Sequence, residues 1–147
     1  MRRAAGHARA WTLNMLLDTS FLIDLLEGRS SASAMAAEID RLDETPHIPS
    51  PVLFELWEGA EGSVQPATER ARLEELLESY EVAPFDGEAA KAAGELQAEL
   101  SRKGRPLGTI DVLVAGLALA RDETLVTGDQ ALMRLRPRIR IKTHSES

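Results

Sequence analysis

Residues 15–26 read MLLDTSFLIDLL, and the order of residue types in that stretch decides the fold. Met15, Leu16 and Leu17 form a short apolar run that ends at Asp18. Thr19 or Ser20 then caps a helix on which Phe21, Leu22, Leu25 and Leu26 recur at helical spacing. A strand feeding directly into an amphipathic helix is the opening unit of an α/β chain. The same order returns near the other end, where Leu125 and Val126 predict a strand, Thr127–Asp129 a turn, Gln130–Leu135 a short helix and Ile139–Ile141 a last strand.

Between these ends the alternation continues. Gly28 stops the first helix, and a second is predicted over about Ser33–Asp43 with Met35, Ile39 and Leu42 on one face. His47 and Ile48 make a brief strand. Ser50 before Pro51 reads as the N-cap and first-turn residue of a helix whose apolar stripe is Val52, Leu53, Leu56, Trp57 and Ala60. After a break at Gly62–Pro66, Thr68–Ser79 is a helix with Leu73, Leu76 and Leu77 inward, and Tyr80–Pro84 is a strand. Asp86 caps a long helix through Arg102, on which Ala89, Ala93, Leu96 and Leu100 repeat. Lys103–Gly108 is a basic loop containing Gly and Pro, and Thr109 caps the most apolar helix of the chain, Ile110–Arg121. This pattern predicts an α/β fold of three layers, a central parallel sheet of about four to five strands with helices on both faces. The expected domain is 15–142, between a flexible N-terminal extension (1–14) and a flexible C-terminal tail (143–147).

A chain of 147 residues suits a single domain. There is no cysteine, so disulfides and thiolate metal sites are excluded. His7, His47 and His144 are expected in a tail, a loop and a second tail, which leaves oxygen ligands and hard cations as the metal chemistry to consider. The longest apolar run, 110–120, is too short to cross a bilayer and contains Asp111. Residues 1–14 lack the apolar stretch of a secretory signal, so a cytoplasmic setting without membrane contact is expected. The net charge is −7, with 17 basic against 24 acidic residues. Such a surface does not draw nucleic acid by its long-range field, which argues against a general RNA-binding module. It leaves room for an enzyme that meets phosphates through a bound cation.

Four acids stand out: Asp18, Glu55, Asp111 and Asp129. Each has an ordinary explanation, as a helix cap, a dipole partner or a solvated glutamate. Asp111 fits the ordinary one worst, because the helix around it is apolar on every other side and a buried carboxylate needs a partner or a cation. Asp18 and Asp129 both follow apolar strands, and in an open parallel sheet the carboxyl ends of the strands form the ligand crevice. Glu55 flanks its helix stripe and can point into the same crevice. Four carboxylates there repel one another unless a multivalent cation intervenes. All-oxygen ligation with positions left to water suits Mg²⁺ or Mn²⁺, and phosphodiester hydrolysis is the natural chemistry. Ser20 and Thr127, beside the acids, are auxiliary candidates for orienting water or phosphate.

The segments MLLDTSFLIDLL, PSPVLFELWEG, LGTIDVLVAGLALA and LVTGDQALMRL, in that order over residues 15 to about 141, resemble the PIN domain and, within it, the VapC toxins of prokaryotic toxin-antitoxin pairs. The resemblance places the family's acids on Asp18, Glu55, Asp111 and Asp129, with Asp18, Asp111 and Asp129 as metal ligands. It places the accompanying hydroxyls on Thr19 or Ser20 and on Thr127. It implies a Mg²⁺-dependent endoribonuclease, a homodimer built through helices, and a VapB-like antitoxin whose C-terminal segment enters the acidic crevice. Lys103 and Arg105, in the basic loop, are the candidates for RNA contact.

Three other readings are weighed. A PIN nuclease of housekeeping RNA maturation shares the same residues. A non-catalytic module of the same fold would typically have lost one of the acids, and none is missing. A doubly wound phosphatase typically places a second Asp two residues after the first, where this chain has Ser20.

Overall fold

The structure is a computed structural model and describes residues 14–144. Five parallel strands form one sheet in the order β3-β2-β1-β4-β5. They are β1 (Asn14–Leu17), β2 (Thr45–Pro49), β3 (Glu81–Ala83), β4 (Thr124–Val126) and β5 (Ile141–Lys142). The helices are α1 (Thr19–Leu26), α2 (Ser30–Arg41), α3 (Ser50–Glu61), α4 (Pro66–Leu77), α5 (Gly87–Arg102), α6 (Thr109–Arg121) and α7 (Gln130–Met133). The three-layer α/β expectation is met, with five strands.

β1 is the centre of the sheet, and Met15, Leu16 and Leu17 are fully buried. Strand order departs to opposite sides of it, towards β2 and β3 on one side and β4 and β5 on the other. That reversal leaves a crevice beyond the carboxyl ends of β1 and β4, the usual ligand position in such sheets. The register aligns Leu17 with Val126, so the residues that follow, Asp18 and Thr127, leave the sheet side by side. The amide of Asp18 donates to the carbonyl of Val126 at 2.9 Å and carries the pairing one residue further.

The core is aliphatic, as the 4% aromatic content requires. α5 and α6 pack tightly at Gly116, where a Cβ would lie 2.5 Å from the Cβ of Ala93. A glycine is needed there because no side chain fits between the helices. Gly28, at φ 76°, turns the chain after α1 as the sequence suggests.

Some local readings need correction. Ser50 does not cap α3; Pro49 holds the cap position, and the Ser50 hydroxyl accepts from the Phe85 amide at 3.0 Å. Gly108, not Thr109, precedes α6, and no side chain caps that helix. The last strand is Ile141–Lys142 rather than Ile139–Ile141; Ile139 is buried in the preceding turn, and apolar content alone does not separate the two roles. His47 lies in β2, in agreement with the strand reading of His47 and Ile48 and against the loop position also expected for it. His144 is not in a loose tail either: it is buried, with Nε2 2.7 Å from Asp24 Oδ2 and its ring edge-on to Phe21. Packed structure therefore extends past 142. The N-terminal extension, with His7 and three arginines, lies outside the described residues apart from Asn14, which opens β1.

Candidate active site

The four acids come from four segments. Asp18 follows β1, Glu55 lies in α3, Asp111 in the first turn of α6, and Asp129 precedes α7. Asp18 occupies the cap position of α1, yet its side chain makes no cap hydrogen bond. The carboxylate is turned instead towards the end of β4: Thr127 Oγ1 donates to Asp18 Oδ2 at 2.6 Å, and Ser20 Oγ donates to the same oxygen at 3.2 Å. Both auxiliary candidates thus reach Asp18. Thr127 is fully buried, and its Oγ1 also accepts from the Asp129 amide at 2.9 Å. Ser20 Oγ accepts from the Gly128 amide at 2.9 Å. One side-chain network therefore fixes the start of α1 against the turn that carries Asp129.

Asp129 is the N-cap of α7 rather than a first-turn dipole partner, since Oδ1 accepts from the amides of Ala131 and Leu132 at 2.7 and 3.3 Å. Its charge nevertheless reaches the crevice, for it raises the pKa of both Asp18 and Asp111. Glu55 is half-buried and accepts from Thr19 Oγ1 at 2.6 Å. The Thr19 hydroxyl is thereby committed to Glu55, and Ser20 is the one that serves Asp18.

The electrostatics show that the four share one space. Burial pushes the Asp111 carboxyl up to about 6, and the charges of Asp129, Asp18 and Glu55 push in the same direction. Asp18 is raised mainly by its burial, against the stabilising hydrogen bond from Thr127. None of the four is in an ion pair with Lys or Arg among the described residues. Asp111 differs from expectation in one respect. Its helix is not buried all round, and the residue is half-buried at the rim, beside exposed Gly108 and Thr109. Its pKa is raised first by burial and further by the neighbouring acids.

An all-carboxylate donor set, raised in pKa and lacking internal cations, fits a hard divalent cation. Among the described residues, no three Asp, Glu or His side chains stand close enough to enclose an ion on their own.

Of the two basic-loop candidates, Lys103 is tied to Glu99 at 3.3 Å, while the Arg105 side chain has no partner among the described residues. Sequence reasoning missed Gln97, whose side chain accepts from the Leu107 amide at 3.0 Å and donates to the Leu107 carbonyl at 2.6 Å. That brace holds the loop leading to Asp111. Its only outward sign is one polar residue beside Leu96 on a helix whose inward face is apolar. Glu55 also borders a groove of about 290 Å³ between α1, α3 and α4, walled by Ile23, Leu26, Leu56 and Leu73, with Arg72 and Glu69 at its edge.

An open parallel sheet that gathers unpaired carboxylates at its point of strand reversal defines an α/β protein with a cation-seeking acidic centre. Residues 15–136 match the PIN domain, and the chain belongs to that family. Among its relatives is the tRNA(fMet)-specific endonuclease VapC of Salmonella typhimurium, 39% identical over 95 residues, covering 65% of this chain and 72% of the relative. The solved DNA-bound VapBC from Salmonella typhimurium has a chain 32% identical, matched with a TM-score of 0.80 over 90% of this chain and 98% of that one. VapBC2 from Rickettsia felis, bound to a DNA fragment from their promoter, gives a TM-score of 0.82 at 26% identity, over 89% of this chain and 98% of that one. The PIN family suggests dependence on a divalent metal in general. No helix among the described residues is long and apolar enough to cross a membrane.

Proposed function

We propose that this chain is a Mg²⁺-dependent endoribonuclease, the toxin of a VapBC-type pair. The observation that carries the reading is geometric: Asp18, Glu55, Asp111 and Asp129 come from four segments to the carboxyl end of the sheet with no Lys or Arg paired to them among the described residues, and burial first, then the charges of the other three, raises Asp111. Structural ion pairs also shift pKa values, but they shift a carboxylate down. Asp18, Asp111 and Asp129 would hold the cation, Mg²⁺ with Mn²⁺ as a substitute, which when bound would supply activation of water and neutralisation of charge on the phosphodiester.

The protein's own residues prepare that step. Thr127 and Ser20 aim Asp18, and Thr127 ties the Asp129 turn to it through the Asp129 amide. Thr19 holds Glu55 facing the same cleft. The Asp111 carboxyl, at about 6, retains a proton in part below neutrality and gives it up when a cation binds.

The partner is a VapB-like antitoxin whose C-terminal segment occupies the acidic cleft; the apolar groove beside Glu55 suits the remainder of that segment. The working form is a cytoplasmic homodimer. Expression in a bacterial host should arrest growth, and co-expression of a cognate VapB-like antitoxin should relieve the arrest. Unimpeded growth accompanied by intact cellular RNA would refute the toxin assignment.

A further inference from the structure

We propose that Arg105 and Arg134 form a phosphate-binding subsite that holds the backbone of the RNA strand beside the acidic cleft; the inference rests on the ribonuclease reading above. The two arginines line one small hollow of about 60 Å³, floored by Leu100, Leu107, Ala131 and Leu135. Both are exposed, and neither guanidinium has a hydrogen-bond or ion-pair partner among the described residues. Their neighbours differ. Lys103 and Arg138, at the same end of α5, both close on Glu99, at 3.3 and 2.7 Å.

Position ties the hollow to the chemistry. Arg134 lies five residues after Asp129, immediately past α7, and Arg105 lies six residues before Asp111. The segments that deliver two of the acids therefore deliver the two free arginines, and Gln97 fixes the loop between Arg105 and Asp111 by both of its bonds to Leu107. Two guanidiniums on one hollow repel each other unless an anion lies between them. A guanidinium presents a planar fork of donors that matches the oxygens of a phosphodiester, and the apolar floor offers no competing carboxylate. A chain of net charge −7 has no long-range attraction for RNA, so a local cationic hold next to the acids supplies what the overall field does not. The subsite takes the phosphate of a nucleotide flanking the scissile bond, and it reads no base. Lys103, expected as a companion of Arg105, is replaced in that role by Arg134.

The test compares Arg105→Gln, Arg134→Gln and, as a charge control, Arg102→Gln in steady-state cleavage of a single-stranded RNA with Mg²⁺ at several salt concentrations. Arg102 is exposed and unpartnered on the same helix end but lies outside the hollow. Each subsite variant should raise KM about five- to tenfold with kcat within about twofold, the size of one exposed charge-assisted contact. The slope of log affinity against log salt should fall by about 0.7 for each arginine removed. Arg102→Gln should change KM less than about twofold. The subsite is overturned if the Arg105 and Arg134 variants behave as the Arg102 control does. If the parent cuts no RNA under any cation, the ribonuclease reading fails and the subsite falls with it; if the parent cuts normally and only the arginine effects are missing, the subsite alone fails.

Discussion

Replacing Asp111 by Asn should stabilise the metal-free protein while removing its activity. In the folded chain the Asp111 carboxyl is raised from 3.8 to about 6 by burial and by Asp129, Asp18 and Glu55. A carboxyl raised on folding binds a proton in the native state at pH values where the unfolded chain has already lost it. Stability therefore falls as pH rises from about 4 to about 6 and then levels off. A shift of about two pH units corresponds to about 3 kcal/mol if fully expressed, and half-exposure to solvent reduces this to about 1 kcal/mol. At pH 7 in EDTA, Asp111→Asn should then melt about 2–5 °C above the parent. At pH 4 the difference should shrink to a small fraction of its value at pH 7, because the parent carboxyl is protonated in the folded state and only partly ionised in the unfolded one. Saturating Mg²⁺ should reverse the order, since a ligand at a hundred times its Kd adds about 2.7 kcal/mol to the form that binds it. Thermal melts of the two proteins at pH 4 and 7, with Mg²⁺ or EDTA, read all of this. A variant less stable than the parent in EDTA at pH 7, or a difference independent of pH, would refute the mutual repulsion of the acids.

Other outcomes follow from the same geometry. Thr127→Val removes the hydroxyl that lowers the Asp18 pKa and the acceptor of the Asp129 amide; the acid limb of the pH-rate profile should move to higher pH, with activity partly recovered in alkali. Gly116→Ala places a Cβ 2.5 Å from Ala93 Cβ, and chemical denaturation should show a loss of about 1–3 kcal/mol with the m-value unchanged. Gln97→Leu strands both polar groups of buried Leu107, which should cost about 2 kcal/mol in the same assay and slow RNA cleavage by loosening the path to Asp111.

The fold was legible because its signals are local. Met15–Leu17 ending at Asp18, and Leu125–Val126 ending at Thr127, mark strands by their apolar runs, and helical spacing marks most of the helices between them. The positions of Asp18 and Asp129 at strand ends follow from the same reading. The roles of the hydroxyls do not, because Thr19 and Ser20 are adjacent and chemically alike. Only the turn from β1 into α1 sends one to Glu55, 36 positions away, and the other to Asp18 and the Gly128 amide. Capping is not legible at Thr19, Ser50 and Thr109, where the residue type suits a cap but the helix already begins at that residue and the cap position falls one earlier. His144 reads as tail because it follows the last apolar run, and only the fold brings it to Phe21, far away in the chain. Arg134 drew no notice because its partner in the hollow, Arg105, is 29 positions earlier, and only the fold joins them.

The central claim is that Asp18, Glu55, Asp111 and Asp129 form one cation-dependent centre that cuts RNA. Its most direct test is the single-turnover cleavage rate of a structured RNA by the parent, Asp18→Asn and Asp111→Asn, in Mg²⁺, in EDTA, and after Mg²⁺ is restored. The account predicts cutting by the parent that stops in EDTA and returns with Mg²⁺, and variants slower by about a hundredfold or more. Variants that cut as fast as the parent, or a parent indifferent to EDTA, would contradict it.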